Sequence, residues 1–340
     1  MWMKIFPRRG DWHSLLLRWT ILLLVSILSL MFFTNMPGSS YSGPLQSPSA
    51  YDQEVSVKLK QQISMLAEKI GERNIWKYRN LNASAHYIKK VATELGYKVK
   101  KQEYKVENVP VENLEWEIIG VSHPEEIILV GAHYDSVSGS PGANDNASGV
   151  AAVLEIARLL KRETLSRTIR FVTFVNEEPP FFQTDKMGSR IYASRSRQRG
   201  EKIVAMLSLE TIGYYCNEKG SQKYPFPFSF FYPDTGNFIG FVGNVSSRSL
   251  VREAIELFRS NTAFPSEGIT APSWIPGIGW SDNWSFWKEG YQAIMITDTA
   301  LFRYQYYHSH QDVPDRIDYE RMARVVVGIS QIIRELSTVK

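Results

Sequence analysis

Beyond the first fifty residues, apolar positions recur along the chain in two alternating patterns. Intervals of three and four residues predict amphipathic helices, whereas short continuous apolar runs predict buried strands. Helices are predicted over 53–70, 81–95, a segment beginning near Ala147, 246–259 and 319–336. Extended segments or strands are predicted over 97–106, 114–121, 127–131, 169–175, 203–209 and 293–297. This alternation is typical of an α/β fold, and Gly96 is expected to end the second helix because glycine readily adopts the left-handed conformation there.

The chain begins with a basic segment that is followed by an uncharged apolar run over 19–34. Four basic residues precede the run: Lys4, Arg8, Arg9 and Arg18. The run is slightly shorter than the ~20 residues that cross a bilayer core comfortably, and no small-residue cleavage site ends it. We therefore expect a membrane signal anchor at 19–34, with residues 1–18 cytoplasmic and the rest periplasmic or extracellular. The alternatives are a cleaved signal peptide, which would give a secreted protein, and a buried helix of the soluble domain.

Residues 35–50 are predicted to be a linker, because the stretch PGSSYSGPLQSPS has the proline, glycine and serine content of a flexible tether. The remaining 51–340 are expected to form one domain. Its apolar content suffices for a large core, since 44% of the whole chain is hydrophobic and 22% is charged. A net charge of +4 gives no case for nucleic-acid binding, and the single cysteine, Cys216, excludes an internal disulfide.

Side chains that commonly bind metals follow several of the predicted strands. In open α/β sheets ligands bind at the carboxyl ends of the strands, so residues that are distant in sequence can converge there. Imidazole and carboxylate groups together suit zinc, and one carboxylate can bridge two ions ~3.5 to 4 Å apart. One such residue is weak evidence, but several at strand ends predict a metal centre. The candidate ligands are His133, Asp145, Glu178, Glu210 and His308.

The segments around these residues resemble those of the zinc exopeptidases of metallopeptidase family 28, typified by secreted bacterial and fungal aminopeptidases. They come in the family's order and span about residues 55–337: GAHYDSV, GANDNASGVA, FVNEE, Gly188-Ser189, SLETIGY and YHSHQDVPDRIDY. The resemblance implies a mixed, mostly parallel β-sheet between layers of helices, and makes 51–340 a zinc exopeptidase domain. It also implies that all five candidates are zinc ligands and that Asp145 bridges two zinc ions.

Two acidic residues beside the ligands are expected to serve catalysis. Asp135 is expected to accept the other ring N–H of His133 and so to fix its tautomer, although a turn-capping role is the alternative. Adjacent residues at an extended strand end point to opposite sides, so if Glu178 faces the metal, Glu177 is free to act as general base. Glu177 would take a proton from the attacking water and return it to the leaving amine. Tyr307 is a candidate donor to the developing oxyanion.

Two positions depart from a simple match to the family. Glu210 stands where most relatives carry aspartate, so the resemblance makes a second zinc ion expected but not certain. His310 lies two residues beyond His308 and competes with it for the ligand role. The family's spacing of tyrosine, histidine and aspartate fits Tyr307, His308 and Asp312, which favours His308.

The expected activity is metal-dependent hydrolysis of N-terminal peptide bonds in peptides or proteins. A long stretch rich in aromatic residues and proline separates Glu210 from Asp298 and is expected to shape a hydrophobic side-chain pocket. The candidate lining residues are Tyr214, Phe230, Trp280 and Trp284, beside Tyr307. Three alternatives remain open: a single-zinc glutaminyl cyclase, a non-catalytic receptor-like ectodomain, and a carboxypeptidase or dipeptidase that would use a cation such as Arg190 or Arg303.

Overall fold

The structure is a computed structural model that describes residues 11–338, in two units that meet between Asn35 and Met36. The first unit holds helix α1, Asp11–Thr34. Its portion from Trp12 to Thr34 is long and apolar enough to cross a membrane. The helix begins before the expected residue 19 because Leu15, Leu16 and Leu17 extend the apolar sequence through Arg18. The remaining basic residues of the expected cytoplasmic segment, within 1–10, lie outside the described residues.

The second unit is built on one mixed eight-stranded sheet. Its strands are β1 Lys100–Val106, β2 Val109–Ile118, β3 His123–His133, β4 Arg167–Phe174, β5 Lys202–Glu210, β6 Ile239–Gly243, β7 Ser266–Thr270 and β8 Ala293–Thr297. They lie in the order β1-β2-β4-β3-β5-β8-β6-β7. The central strands β4, β3, β5 and β8 run parallel, and so do β6 and β7, whereas the other pairings are antiparallel.

Helices cover both faces of this sheet. They are α2 Ala50–Ile63, α3 Tyr78–Glu94, α4 Gly149–Leu160, α5 Gly188–Gln198, α6 Arg248–Asn261, α7 Asn283–Lys288, α8 Ala300–Arg303 and α9 Tyr319–Ser337. Helices α2, α3, α4, α6 and α9 form one layer, while α5 and α7 pack together on the opposite face. Along β3, Ile128 and Val130 enter the first core and Ile127 and Leu129 the second. Burial on both faces explains why the central strands read as continuous apolar runs. The expected sheet between helical layers is confirmed.

Several element boundaries differ from the sequence prediction. The extended segment expected over 114–121 is strand β2, which begins at Val109 and ends at Ile118. Glu107 and Asn108 have φ values of 49° and 64°, so they form a tight turn that joins β1 and β2 into a hairpin. The helix expected over 53–70 is regular to Ile63 and then widens into a π-helical turn.

The helix expected to begin near Ala147 starts regularly at Gly149. It is preceded by a wider turn, Ala143–Ser148, in which Asp145 and Asn146 have non-helical dihedral angles. This turn brings Asp145 out of the helical path at the sheet edge. Five further helices and strands were not predicted: β6, β7, α5, α7 and α8.

Strand β5 contains an extra residue relative to its neighbour β3. Ile127 pairs with Ile203, but the next residue, Ile128, pairs with Ala205. Val204 and Ala205 therefore both lie toward the core that is shared with the larger helical layer. Such a bulge changes which residues of the following strand point to each face.

Within the linker expected over 35–50, residues 36–48 make specific contacts with the rest of the second unit. Arg259 Nη1 donates to the carbonyl oxygen of Pro37 at 2.8 Å, and the Ser266 N–H donates to Ser40 Oγ at 3.0 Å. The side chains of Met36 and Leu45 pack against the core. The segment follows the surface of the domain until Ser49 caps helix α2.

Candidate metal centre

The sheet brings candidate ligands together at the carboxyl ends of adjacent strands. His133 is the last residue of β3 and Glu210 is the last of β5, while Glu178 follows the end of β4. Because β4, β3 and β5 are parallel neighbours, these three side chains start from the same sheet edge. Asp145 reaches it from the turn before α4, and His308 from the segment after α8.

The ligand atoms form two groups that share Asp145. In the first triad, His133 Nε2 lies 3.3 Å from Asp145 Oδ1 and 3.3 Å from Glu210 Oε2. In the second triad, His308 Nε2 lies 3.1 Å from Asp145 Oδ2 and 3.2 Å from Glu178 Oε2. The ligand atoms of each triad lie within 4.8 Å of one another. Asp145 thus directs one oxygen to each triad, which is the arrangement of a carboxylate that bridges two ions.

Unpaired polar atoms show that the triads fit metal ions. Both ring nitrogens of His133 and Oδ2 of Asp145 are buried and make no hydrogen bond to any described residue. Leaving a buried polar group unpaired costs about 1–3 kcal/mol. Imidazole and carboxylate donors of this kind match the preferences of zinc, and a cation within each triad would satisfy His133 Nε2 and Asp145 Oδ2, whereas His133 Nδ1 faces Asp135.

The shifted pKa values of the clustered side chains also indicate a site for positive charge. Burial raises the pKa of Glu178 to about 8 and also raises the pKa of Glu210. Burial alone would lower the pKa of His308, but the nearby carboxylates of Asp145 and Glu178 outweigh it and raise that pKa to about 10. Buried carboxylates are therefore costly to ionise here unless positive charge is placed among them.

Glu177 lies beside the first triad but belongs to neither triad. Its Oε2 is 3.8 Å from His133 Nε2, and its side chain is buried. Burial raises the pKa of Glu177 well above its usual value. A carboxylate next to the ligands, with a raised affinity for protons, is suitably placed to exchange a proton with a reacting group.

Asp135 contacts the backbone of the glutamate pair more closely than it contacts His133. Its Oδ1 lies 3.5 Å from His133 Nδ1, which is too long for a good hydrogen bond. Its two oxygens instead accept hydrogen bonds of 3.1 Å from the backbone N–H groups of Glu177 and Glu178. Asp135 therefore holds the segment that carries both glutamates.

A second aspartate holds the turn of the shared ligand. Asp312 Oδ1 accepts from the backbone N–H of Asn144 at 2.8 Å, and Oδ2 accepts from that of Asp145 at 3.1 Å. The turn also needs glycine at Gly142, where φ is 62° and an added Cβ would lie 2.4 Å from the carbonyl oxygen of Asp145. These contacts fix the backbone of the turn and therefore the direction in which the Asp145 side chain points.

Two further residues, Ser281 and Arg73, support the centre and were not identified from the sequence as supporting groups. Ser281 Oγ donates to Glu210 Oε2 at 2.7 Å. Arg73 is fully buried and donates at 2.9 Å to the carbonyl oxygens of Tyr134 and Gly142. Asp282 is fully buried beside Ser281, and burial raises its pKa to about 7. No local spacing marks them, because each is brought to the centre by tertiary structure.

An apolar cavity of about 880 Å³, including its open mouth, begins beside the first triad. Residues that line the apolar cavity include Glu210, Gly240, Glu267, Trp280, Thr297 and Tyr307. The ring of Tyr307 also stacks on that of His308, with centroids 3.9 Å apart.

The other expected pocket residues lie elsewhere. Tyr214 packs against Tyr304, with ring centroids 4.8 Å apart. Trp284 lies in α7, where the ammonium group of Lys288, one helical turn further along, lies over its ring. Phe230 is exposed. None of the three lines the apolar cavity, because the helix or loop that carries each side chain turns it away.

The rival ligand and the rival cations also lie outside the centre. His310 is exposed and belongs to neither triad within the described chain. Arg190 pairs with Glu289. Arg303 is buried and donates to Gln222 and to the carbonyl oxygen of Phe238.

Comparison with known proteins decides the family. Residues 113–333, which are more than half of the chain, match the sequence pattern of peptidase family M28. The chain belongs to peptidase family M28. It is 39% identical over 285 residues to the Escherichia coli K12 protein YfbL, described as uncharacterized, covering 81% of this chain and 87% of that protein. Aminopeptidase YwaD of Bacillus subtilis is 50% identical over 113 residues, which are 32% of this chain and 24% of that enzyme.

Solved structures share the fold of this M28 chain. A zinc aminopeptidase from Bacillus subtilis superposes with a TM-score of 0.68 at 17% identity, over 83% of this chain and 95% of that one. A glutaminyl cyclase from Fimbriiglobus ruber superposes with a TM-score of 0.60 at 19% identity, over 87% and 99%. This protein is therefore an M28 metallopeptidase, and the family implies zinc as its metal.

Proposed function

We propose that this M28 chain is an aminopeptidase that binds two zinc ions and hydrolyses the N-terminal peptide bond of peptides or proteins. The observation that carries the proposal is the position of Asp145, whose two oxygens lie 3.3 Å from His133 Nε2 and 3.1 Å from His308 Nε2. A single carboxylate divided between two triads is suited to two ions and has no evident purpose with one.

His133, Asp145 and Glu210 would hold one zinc ion, and Asp145, Glu178 and His308 the other. When bound, zinc polarises the scissile carbonyl and lowers the pKa of water toward ~7. Ser281 and Asp312 keep Glu210 and Asp145 in position through the hydrogen bonds described above.

Glu177 would act as the general base. Its carboxylate takes a proton from the attacking water and passes it to the nitrogen of the leaving amine. Asp135 keeps the backbone of Glu177 and Glu178 at the sheet edge, so that one carboxylate binds metal while the other remains free. Tyr307, which is adjacent to His308 and lines the apolar cavity, would donate its phenolic O–H to the oxyanion.

The second candidate is a glutaminyl cyclase, which the structural likeness to the Fimbriiglobus ruber enzyme favours. A cyclase with one zinc ion would leave one of the two triads without a metal ion. A receptor-like ectodomain is less well supported, because the five candidate ligands and Glu177 are all present within the described residues.

We also propose that α1 anchors the protein in a membrane and that the catalytic domain lies on the extracytoplasmic side. Support comes from the length and hydropathy of the helix and from the basic residues that precede the apolar run. Cleavage would instead release the domain. N-terminal sequencing of membrane and soluble fractions separates the two outcomes.

The function is tested with the full chain purified in detergent. We expect about two zinc ions per chain by elemental analysis, and hydrolysis of leucine p-nitroanilide but not of its N-acetylated form. One zinc ion per chain, together with conversion of N-terminal glutamine to pyroglutamate, would establish the cyclase instead.

A further inference from the structure

A row of paired residues joins the metal centre to a second glutamate across the sheet. Glu210 on β5 pairs with Thr297 on β8, Thr297 pairs with Gly240 on β6, and Gly240 pairs with Glu267 on β7. Directly opposite residues point to the same face of a sheet, so Glu210 and Glu267 lie on one face. Three strand spacings of about 4.8 Å place the ends of the row roughly 14 Å apart.

This row forms part of the floor of the apolar cavity, whose lining includes all four of its residues. The neighbouring row on the same face is apolar and also lines the cavity: Met295, Val242 and Ile269. Gly240 has no side chain, so it leaves the middle of the floor open. An added Cβ would lie 3.2 Å from the carbonyl oxygen of Thr297. The cavity is therefore a long apolar passage with a carboxylate at each end of its floor.

Glu267 is only loosely paired with the nearby cation. Its side chain is 22% exposed, and its Oε2 lies 3.9 Å from Arg259 Nη2, at the outer limit of an ion pair. Arg259 donates its hydrogen bonds to the carbonyl oxygens of Pro37 and Gly38 and to Ser266. Ser40 also hydrogen-bonds to Glu267. A carboxylate has four lone-pair positions, so that of Glu267 can still accept from a cation of the substrate.

We infer that the apolar cavity binds the side chain of the substrate's N-terminal residue and that Glu267 selects lysine or arginine over an uncharged side chain of similar length. The inference rests on the proposed aminopeptidase function, since it places the reacting end of the substrate at Glu210 and Tyr307. With the Cα atom of the substrate above Thr297, two strand spacings or roughly 10 Å separate it from Glu267, so the aliphatic stem would lie over Met295 and Val242 and the charged end would approach Glu267. Lysine and arginine are suited to such a passage because a long apolar stem carries their charge.

The test compares p-nitroanilides of arginine, lysine, norleucine and leucine with the full-length, zinc-loaded protein. Norleucine supplies a straight stem without the charge. We expect kcat/KM for arginine and lysine to exceed that for norleucine by at least about tenfold, and Glu267→Gln to remove this preference by lowering kcat/KM for the two charged substrates. A tenfold change corresponds to about 1.4 kcal/mol. Glu256→Gln, the same change on the exposed side of α6, serves as the control and should leave every ratio unaltered.

The outcomes separate this inference from the proposed function. Hydrolysis of leucine p-nitroanilide with an arginine-to-norleucine ratio that Glu267→Gln leaves unchanged would overturn the role of Glu267 alone. A preference of the unmodified protein for norleucine or for an aromatic residue would do the same. Failure to hydrolyse any of the four substrates would overturn both the proposed function and the inference.

Discussion

Asp312 accepts a 3.1 Å hydrogen bond from the backbone N–H of Asp145, although 167 positions separate the two residues in the chain. The other oxygen of Asp312 accepts from Asn144 and from the hydroxyl of Tyr304, each at 2.8 Å. Asp145, the proposed shared ligand, is therefore oriented by a residue that belongs to neither triad.

Removing this support should weaken metal binding without removing a ligand. We expect Asp312→Ala to lower zinc affinity by roughly 10- to 100-fold, as is usual when the group that orients a ligand is lost. Chelator competition measures the affinity. Asp315→Ala, on the exposed surface three residues away, is the matched control and should bind zinc normally. Normal affinity in Asp312→Ala would show that the turn holds Asp145 by itself.

Replacing the proposed base should separate metal binding from turnover. Glu177→Ala is expected to retain its zinc while kcat falls by at least ~10²-fold, because proton transfer loses its acceptor. Zinc content and kcat are measured on the same sample. If the metal and the activity were lost to the same extent, Glu177 would be a ligand and not a base.

Replacing individual ligands should reveal the sharing of Asp145. Asp145→Ala is expected to lower the occupancy of both zinc ions, whereas Glu178→Ala and Glu210→Ala should each lower mainly one. Elemental analysis after dialysis against a fixed concentration of free zinc gives the stoichiometry. Full occupancy of one ion in Asp145→Ala would contradict the bridging arrangement.

The stability of the metal-free protein should fall as pH rises. Burial raises the pKa of Glu178 to about 8, compared with ~4.3 for glutamate in an unfolded chain. Between these values the native state binds the proton more tightly, so stability decreases through this window as the proton is removed. The raised pKa of His308, about 10, acts in the same direction.

Thermal unfolding of the chelator-treated protein at pH 5 to 8 checks this expectation. The melting temperature should decrease with pH in the absence of zinc. Added zinc should raise it most at pH 8, because ligands must be deprotonated to bind metal. A melting temperature that increases with pH in the metal-free protein would contradict the expected effect of burial on Glu178.

The parts of the fold and the site that follow from local pattern were predictable. Apolar runs located the central strands, and His133 and Glu210 stand at their ends. Strands β6 and β7 escaped prediction because glycine and polar residues interrupt their apolar runs, whereas the equally short β8 is apolar almost throughout. The supporting contacts of Ser281 and Arg73 depend on tertiary structure, so no motif or regular spacing in the sequence identifies these two residues.

The positions of the aromatic side chains were also only partly predictable from the sequence. A sequence indicates that a loop contains rings, but not whether a ring faces the cavity or packs against its own loop. Tyr214 was expected in the substrate pocket, yet its backbone N–H donates to Asp298 and its ring lies against Tyr304. Trp280, expected on the same grounds, does line the apolar cavity.

The extra residue at Val204 reaches beyond its own neighbourhood. Side chains alternate along a strand, so omitting one residue there would exchange the two sides of everything downstream. Leu209 would then turn toward the proposed metal centre, and Glu210 would turn into the aliphatic core beneath α4. Insertion or deletion of one residue in the first half of β5 would therefore be expected to abolish activity, even though every candidate metal-binding and catalytic residue would still be present in the sequence.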